Sequence, residues 1–262
     1  MIFTKRKKVS SLEEIAKKEF LSNSSEIFPI EFENQKYWLK RARQTKPNKI
    51  QNFFYRLFPL ELLIPSLGKT AFEALQYETS KLEKFRSLGI NTPKVVYKCD
   101  NFFVLEDCGK TVHSLIRKNI SEEAFYYYVD LMLEELTKIH KNGFFHGGAQ
   151  TRNFTYKEKK IYIIDLEESF DSTIDVETLK FRDFLLFLLS FVKIKADFEV
   201  DYMYVIDKYM NLTGNTNIKD KLKKMANKIS FFIYLSEIKI FQNILGSDIK
   251  SFFKLFKILK TL

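Results

Sequence analysis

The chain of 262 residues is poor in several things, and each scarcity excludes a class of protein. Its two cysteines, Cys99 and Cys108, are too few for a disulfide framework and lack the paired spacing or histidine company of a zinc site, which points to a reducing compartment. No run reaches the roughly eighteen apolar residues of a membrane span. The opening MIFTKRKKVSSLEEIAKK has the positive charge of a signal peptide but no apolar stretch behind it. A cytoplasmic protein, neither exported nor spanning, is expected. No internal repeat or low-complexity segment interrupts the chain.

What is present is a hydrophobic content of 45%, ample for a core, and a net charge of +10 that is unevenly spread. Residues 1–118 carry 22 Lys/Arg against 13 Asp/Glu, residues 119–192 carry 8 against 13, and residues 193–262 carry 13 against 7. Basic flanks around an acidic middle suit phosphate-rich partners, or simply keep the surface solvated.

Apolar alternation in IFPIEFE and KYWLKRA, separated by Asn34-Gln35, predicts an antiparallel hairpin with Lys40 in its second strand. A less regular basic and aromatic stretch follows. A helix is then predicted from about Thr70 to Leu88, ended by Gly89 and Pro93. On the helical wheel Ala71, Leu75, Leu82 and Phe85 form one stripe, Glu78 falls within it, and Glu73 points the opposite way. A carboxylate inside an apolar stripe is costly unless paired, so Glu78 calls for a cation. Two strands, PKVVYKC and NFFVLED, precede a long helix, SEEAFYYYVDLMLEELTKIHKNG, that stops at Gly143. The shift from strands to helices near residue 110 predicts a sheet-bearing part, 1–109, and a helical part, 110–262.

The stretch FFHGGAQTRNFTYKEKKIYIIDLEES, residues 144–169, reads as a second hairpin turning at KEKK. If Tyr156 pairs with Ile161, Asn153 pairs with Ile164, and the carboxamide of Asn153 comes close to the carboxylate of Asp165. Two oxygen donors at one open end suit a hard cation such as Mg²⁺. Taken alone, the same pattern also fits an ordinary surface hairpin with polar ends.

The order of these pieces resembles the protein-kinase-like fold over most of the chain: a strand lysine, a helix glutamate, an acidic link, a histidine loop, an asparagine and a strand-ending aspartate. The resemblance implies an α+β fold of two lobes, with a small antiparallel sheet in one and mostly helices in the other. It implies ATP and Mg²⁺ as cofactors, with Lys40 on the phosphates and Glu78 as its partner. The hinge VLEDCGK, with Glu106 and Cys108, would hold adenine. HGGAQTRN matches the catalytic loop from His146 to Asn153, IDLEE supplies Asp165 as the metal ligand, and Asp183 in LKFRDFLLFLLSF braces the loop. Asp183 follows Asp165 by only 18 residues, too few for a long activation segment. The likeness is therefore nearest in character to bacterial lipopolysaccharide core-sugar kinases. No glycine-rich loop precedes Lys40, and SNSSE, residues 22–26, is the one candidate to cover the phosphates.

The main departure is Gly148, where the resemblance expects an aspartate that orients or deprotonates the acceptor hydroxyl. General-base help is worth about 10²- to 10⁴-fold, so its loss weakens catalysis without forbidding it. Gln150, His146 or Glu167 could take over acceptor positioning, His146 otherwise holding backbone in the loop. The alternative is a nucleotide-binding pseudokinase that regulates or scaffolds without transfer. Arg152 could contact a phosphate or pair with Glu167 or Glu168. The segments 50–64 and 249–262, the latter with Lys250, Lys254, Lys257 and Lys260, mix basic and apolar residues. They could lie on an anionic membrane or pack internally. Together these readings make a phosphotransferase acting on a sugar or lipid-linked sugar, cytoplasmic or peripheral on the inner membrane, the leading expectation. Nucleic acid is disfavoured, because the aromatics Phe181, Phe184, Phe187 and Phe191 fall in apolar helical runs.

Overall fold

A computed structural model describes residues 11–57, 59–228 and 247–260. Strands β1 (Ile27–Phe32), β2 (Gln35–Arg41), β3 (Val95–Lys98) and β4 (Phe102–Glu106) form an antiparallel sheet in the order β1-β2-β4-β3. The β1–β2 turn is made by Glu33 and Asn34, both left-handed at φ 50° and 60°, so that Gln35 already pairs with Phe32. It therefore falls one residue earlier than the expected Asn34-Gln35. Two consecutive positive φ values match the twist of a two-residue hairpin, and Asn34 takes the second of them.

Alternation along β1 and β2 buries Phe28, Ile30 and Leu39 on one face, against helix α1 (Leu12–Ser22). Ser11 and Glu14 close the start of α1 as a reciprocal capping pair, and Phe20 near its end stacks on Phe102 at 4.8 Å. Arg41 lies 3.9 Å over the Phe20 ring and donates to the carbonyls of Phe20, Asn23 and Ser25. The stretch 22–26 is thereby tied to β2.

After the helix α2 (Lys49–Leu57), the chain enters α3 (Ala71–Ser87), capped by Thr70 with Glu73. Its buried stripe is Ala74, Leu75, Glu78, Thr79, Leu82 and Phe85. Ala71 is only half-buried at the first turn, and Ala74 takes the place expected for it. Within 50–64, Leu62 and Ile64 are buried whereas Phe53 and Leu57 are exposed, so the segment divides between core and surface.

Beyond β4 lie β5 (Lys110–Thr111), α4 (Val112–Ile116), α5 (Glu122–Lys141), β6 (Phe154–Lys157) and β7 (Lys160–Ile163). They are followed by α6 (Val176–Phe191), α7 (Tyr202–Thr213), α8 (Ile218–Lys228) and α9 (Ser247–Leu259). Strands β5, β6 and β7 make a small second sheet, with Tyr156 opposite Ile161. Helix α6 is apolar nearly all round and is buried accordingly, from Phe181 to Leu188. One core runs through both parts, joining Leu82, Phe85 and Phe103 to Met132, Phe154 and Phe184. In α9, Leu255, Phe256 and Leu259 have no exposure, and Lys254, Lys257 and Lys260 face solvent. For this part of 249–262 internal packing holds over the membrane alternative, because its apolar face is already occupied. The side chain of Lys250 lies outside the described residues. Among the described residues no helix is long and apolar enough to cross a membrane.

Candidate active site

A cleft of about 420 Å³ opens between the four-stranded sheet and the β6–β7 hairpin. Because Leu39 faces α1, the strand period turns Lys40 to the opposite face, into this cleft. The Lys40 ammonium lies 2.9 Å from Glu78 Oε1, 3.0 Å from Asp165 Oδ1 and 3.5 Å from Glu167 Oε2. Burial alone would lower its pKa, but these three carboxylates outweigh burial and hold it firmly charged. Burial has the larger hold on Glu78 and pushes its carboxyl up, against the pull of Lys40. Arg43 reaches Glu167 at 3.5 Å. Glu26, which takes Arg43 Nε at 2.9 Å, also lines the cleft, so carboxylates outnumber the cations Lys40 and Arg43 there.

Asp165 has φ 62°, a left-handed conformation that a non-glycine residue adopts at a cost of about 1 kcal/mol or more. Burial tends to raise its pKa, yet the charge and hydrogen bond of Lys40 prevail and lower it. The backbone N–H of Ile164 donates to the Asn153 carbonyl at 3.0 Å, which sets Asn153 and Asp165 at the same open end of the hairpin. The Asn153 Nδ2 donates to the Gly148 carbonyl at 2.8 Å, leaving its carboxamide oxygen available on the other side. An amide oxygen beside a partly exposed carboxylate is a donor set that fits Mg²⁺.

The far end of the cleft is the link after β4. The Trp38 indole donates to Asp107 Oδ1 at 2.8 Å, the Gly109 N–H to Asp107 Oδ2 at 3.3 Å, and Lys157 Nζ to the Asp107 carbonyl at 2.7 Å. Gly109 is required here: its φ is 86°, and a Cβ would stand 2.2 Å from the Tyr156 carbonyl oxygen. Glu106 lines the cleft, but its carboxylate accepts from the Lys94 N–H at 2.9 Å. Cys108 is buried in the wall, and burial pushes its thiol up to about 12.

At the loop, Asp183 is fully buried and accepts from the N–H groups of His146 at 2.6 Å and Gly147 at 2.9 Å. Burial pushes its pKa up, but hydrogen bonding and charge from His140, with His146 and Arg182 nearby, bring it below the usual range. Lys81 Nζ donates to the His146 carbonyl at 2.9 Å and lies 4.4 Å over the Phe145 ring. Arg182 donates to the Gly147 carbonyl.

Lys40, Glu78, Glu106, Cys108, Asn153, Asp165 and Glu167 therefore share one cleft. Two of the residues considered for acceptor positioning do not. His146 has no exposure, its Nδ1 accepts from the Gly148 N–H at 3.1 Å, and burial lowers its pKa to about 4, so it serves the loop as a neutral ring. Gln150 lines a separate cavity with His113, Arg152 and Lys193. The pairing of Arg152 with Glu167 or Glu168 is not formed. Glu167 is engaged by Lys40 and Arg43, and Glu168 by Arg182 at 3.3 Å.

Trp38, Asp107, Lys81 and Arg182 were not singled out from the sequence. Arg182 carried a signal of the same kind as Asp183, a charge inside an otherwise apolar helix. Lys81 lies beside the apolar stripe, three residues after Glu78.

No family model matches the chain. An uncharacterized protein of Haemophilus influenzae is 27% identical over 233 residues, covering 88% of each chain. Among solved structures, WaaP, in a complex with acyl carrier protein, is similar at a TM-score of 0.51 and 12% identity, over 80% of this chain and 83% of that one. The likeness shows the fold. The chain is a two-lobed α+β protein of protein-kinase-like architecture, with a small antiparallel sheet and a mostly helical remainder.

Proposed function

We propose that the protein is an ATP- and Mg²⁺-dependent phosphotransferase whose acceptor is a sugar hydroxyl, on a lipopolysaccharide-type or other lipid-linked sugar. The observation that carries this reading is the position of Lys40. One buried ammonium is shared by a helix glutamate, which fixes it, and by an aspartate at the mouth of a hairpin, which a metal ion would draw away. In such a site the lysine meets the nucleotide phosphates, Glu78 keeps it from swinging, and Asp165 and Asn153 would hold Mg²⁺, which neutralises phosphate charge. The link at Glu106–Cys108 would receive the base through its backbone.

Catalysis of this kind rests on positioning and charge neutralisation, and the strained Asp165 together with the clamped loop suits a preorganised centre. The acceptor class rests on the kinase-like fold, on the short span from Asp165 to Asp183, and on the basic flanks.

The test is thermal unfolding with and without Mg-ATP. A ligand present at 100 times its Kd stabilises the folded state by about 2.7 kcal/mol, so wild type should shift upward. Asp165→Ala should remove the Mg²⁺-dependent part of that shift. No shift at millimolar Mg-ATP in wild type would overturn the reading.

A further inference from the structure

The loop that lacks a carboxylate in sequence does not lack one in space. A Cβ built on Gly148 would stand 3.9 Å from Glu168 Oε1 and 3.3 Å from Asn153 Nδ2. One built on Gly147, where φ is 105°, would meet the Glu168 Cβ at 2.9 Å. Gly147 thus clears the room that the Glu168 stem fills, and Gly148 lies within van der Waals reach of its carboxylate. Arg182 holds one carboxylate oxygen, with Nη2 3.3 Å from Oε2, while Oε1 is the oxygen nearer Gly148. The side chain is 36% exposed, so it is anchored and still reachable.

What it reaches is a second cavity, of about 370 Å³, lined among others by Arg43, Lys46, Lys69, Glu167 and Glu168. This cavity shares Arg43 and Glu167 with the cleft that contains Lys40 and Asp165. Lys69 donates to the Glu167 carbonyl at 2.8 Å, which ties the cavity wall to the segment following β7. Glu167 itself is turned to Lys40 and Arg43, which leaves Glu168 as the carboxylate beside the loop.

We propose that Glu168 replaces, from a different part of the chain, the carboxylate missing at Gly148, and that the acceptor enters through the cavity of Lys46 and Lys69. This rests on the phosphotransfer reading above and gives its acceptor a chemical class: a sugar bearing an anionic group near the reacting hydroxyl. In the transfer, the hydroxyl oxygen forms a bond to the γ-phosphorus. The bond from that phosphorus to the β,γ-bridging oxygen breaks, its electron pair leaves on ADP, and the hydroxyl proton passes to Glu168 Oε1. Burial raises the Glu168 pKa, with Arg182 pulling against it, a direction that favours a proton acceptor.

The experiment measures ADP formation from Mg-ATP by the full chain, with an anionic lipopolysaccharide core oligosaccharide as acceptor, alongside the Mg-ATP thermal shift. Glu168→Gln should lower kcat by about 10²- to 10⁴-fold while the thermal shift stays at its wild-type value. Gly148→Asp combined with Glu168→Ala should recover part of the loss, because the carboxylate then returns from the loop. Lys46→Gln should raise KM for the anionic acceptor and leave it unchanged for a dephosphorylated, carboxyl-reduced counterpart. A kcat in folded Glu168→Gln within about threefold of wild type overturns the assignment of Glu168 and leaves phosphotransfer standing. If the double variant does not fold, Glu168→Gln and Glu168→Asp decide, the latter retaining more activity. Absence of both thermal shift and ADP formation in wild type overturns the phosphotransfer reading and this one with it.

Discussion

The two ends of the cleft are held by different physics. At the link after β4, the ties are side chain to backbone or side chain to side chain between partly exposed groups: Trp38 to Asp107, Lys157 to the Asp107 carbonyl, and Gly109 fitted under Tyr156. At the loop, the ties are buried charges, Asp183 under two N–H groups and Arg182 on the Gly147 carbonyl, joined by the half-buried Lys81 on the His146 carbonyl. Each tie at the link contributes about 1 kcal/mol and can be remade around an entering ligand. A buried charge has no water to fall back on, so the loop keeps one geometry at a larger cost of disruption. The end proposed to receive adenine is adaptable, and the end proposed to carry the chemistry is rigid.

The sharpest way to break this comparison is Asp183→Ala. It strips two buried backbone N–H groups and His140 of their acceptor, and loss of one partner from a buried charged cluster costs about 3 to 5 kcal/mol. Urea unfolding should show a loss of that size. A loss below about 1 kcal/mol would place the loop in the same class as the link.

The loop should also be the end that senses acid. His146 is held neutral in the fold, with a pKa of about 4, whereas an unfolded histidine titrates near about 6.5. Between those values the unfolded chain binds a proton that the folded chain refuses at this ring, so the His146 contribution to stability falls as pH is lowered through this window and is constant above it. The slope reaches about 1.4 kcal/mol per pH unit, for a total of about 3 kcal/mol. Burial pushes the Glu78 carboxyl up and so acts in the opposite sense in both proteins, and it is the difference in urea stability between wild type and His146→Asn, taken from pH 7 to pH 4.5, that should follow this curve.

The sequence carried the rigid end better than the adaptable one, and for a physical reason. A buried charge is conspicuous in an apolar pattern: Glu78 sits in the stripe of α3 and Asp183 in the apolar run of α6, and each needs a partner. Strand alternation set the β6–β7 register, so Tyr156 and Ile161, and with them Asn153 and Asp165, could be placed. The link carries no such contrast, and the indole of Trp38 reaches Asp107 across 69 positions with nothing local to announce it. After Asp165 the backbone is irregular, with no period to say which of Glu167 and Glu168 turns to the loop. Only the fold brings the Glu168 carboxylate beside Gly148, 20 positions earlier in the chain. The β1–β2 turn slipped by one residue because Glu33, a residue seldom left-handed, takes the first turn position.

At the adaptable end, Gly109→Ala is the larger perturbation. A Cβ there meets the Tyr156 carbonyl oxygen at 2.2 Å in a backbone conformation that alanine disfavours, so the β5–β6 pairing must open or the link must shift. A destabilisation of about 1 to 3 kcal/mol is expected. Unlike that of Asp183→Ala, it should be accompanied by weaker nucleotide binding, with the loop's acid response left intact. Hydrogen exchange should show new opening at Lys110–Thr111 and none at His146–Gly147.

The mildest test is Trp38→Phe, which keeps the aromatic wall of the cleft and removes only the donor to Asp107. Asp107 is also approached by the Gly109 N–H at 3.3 Å and by Lys36 at 3.6 Å, so its carboxylate is not stranded. The loss of one such bond should cost about 1 kcal/mol and be independent of pH between 5 and 7. The same ligand-free variant should show faster hydrogen exchange through residues 106–109, an opening that bound Mg-ATP suppresses if the base does sit on this link. A cost above about 3 kcal/mol would make this end as rigid as the loop and remove the contrast between them.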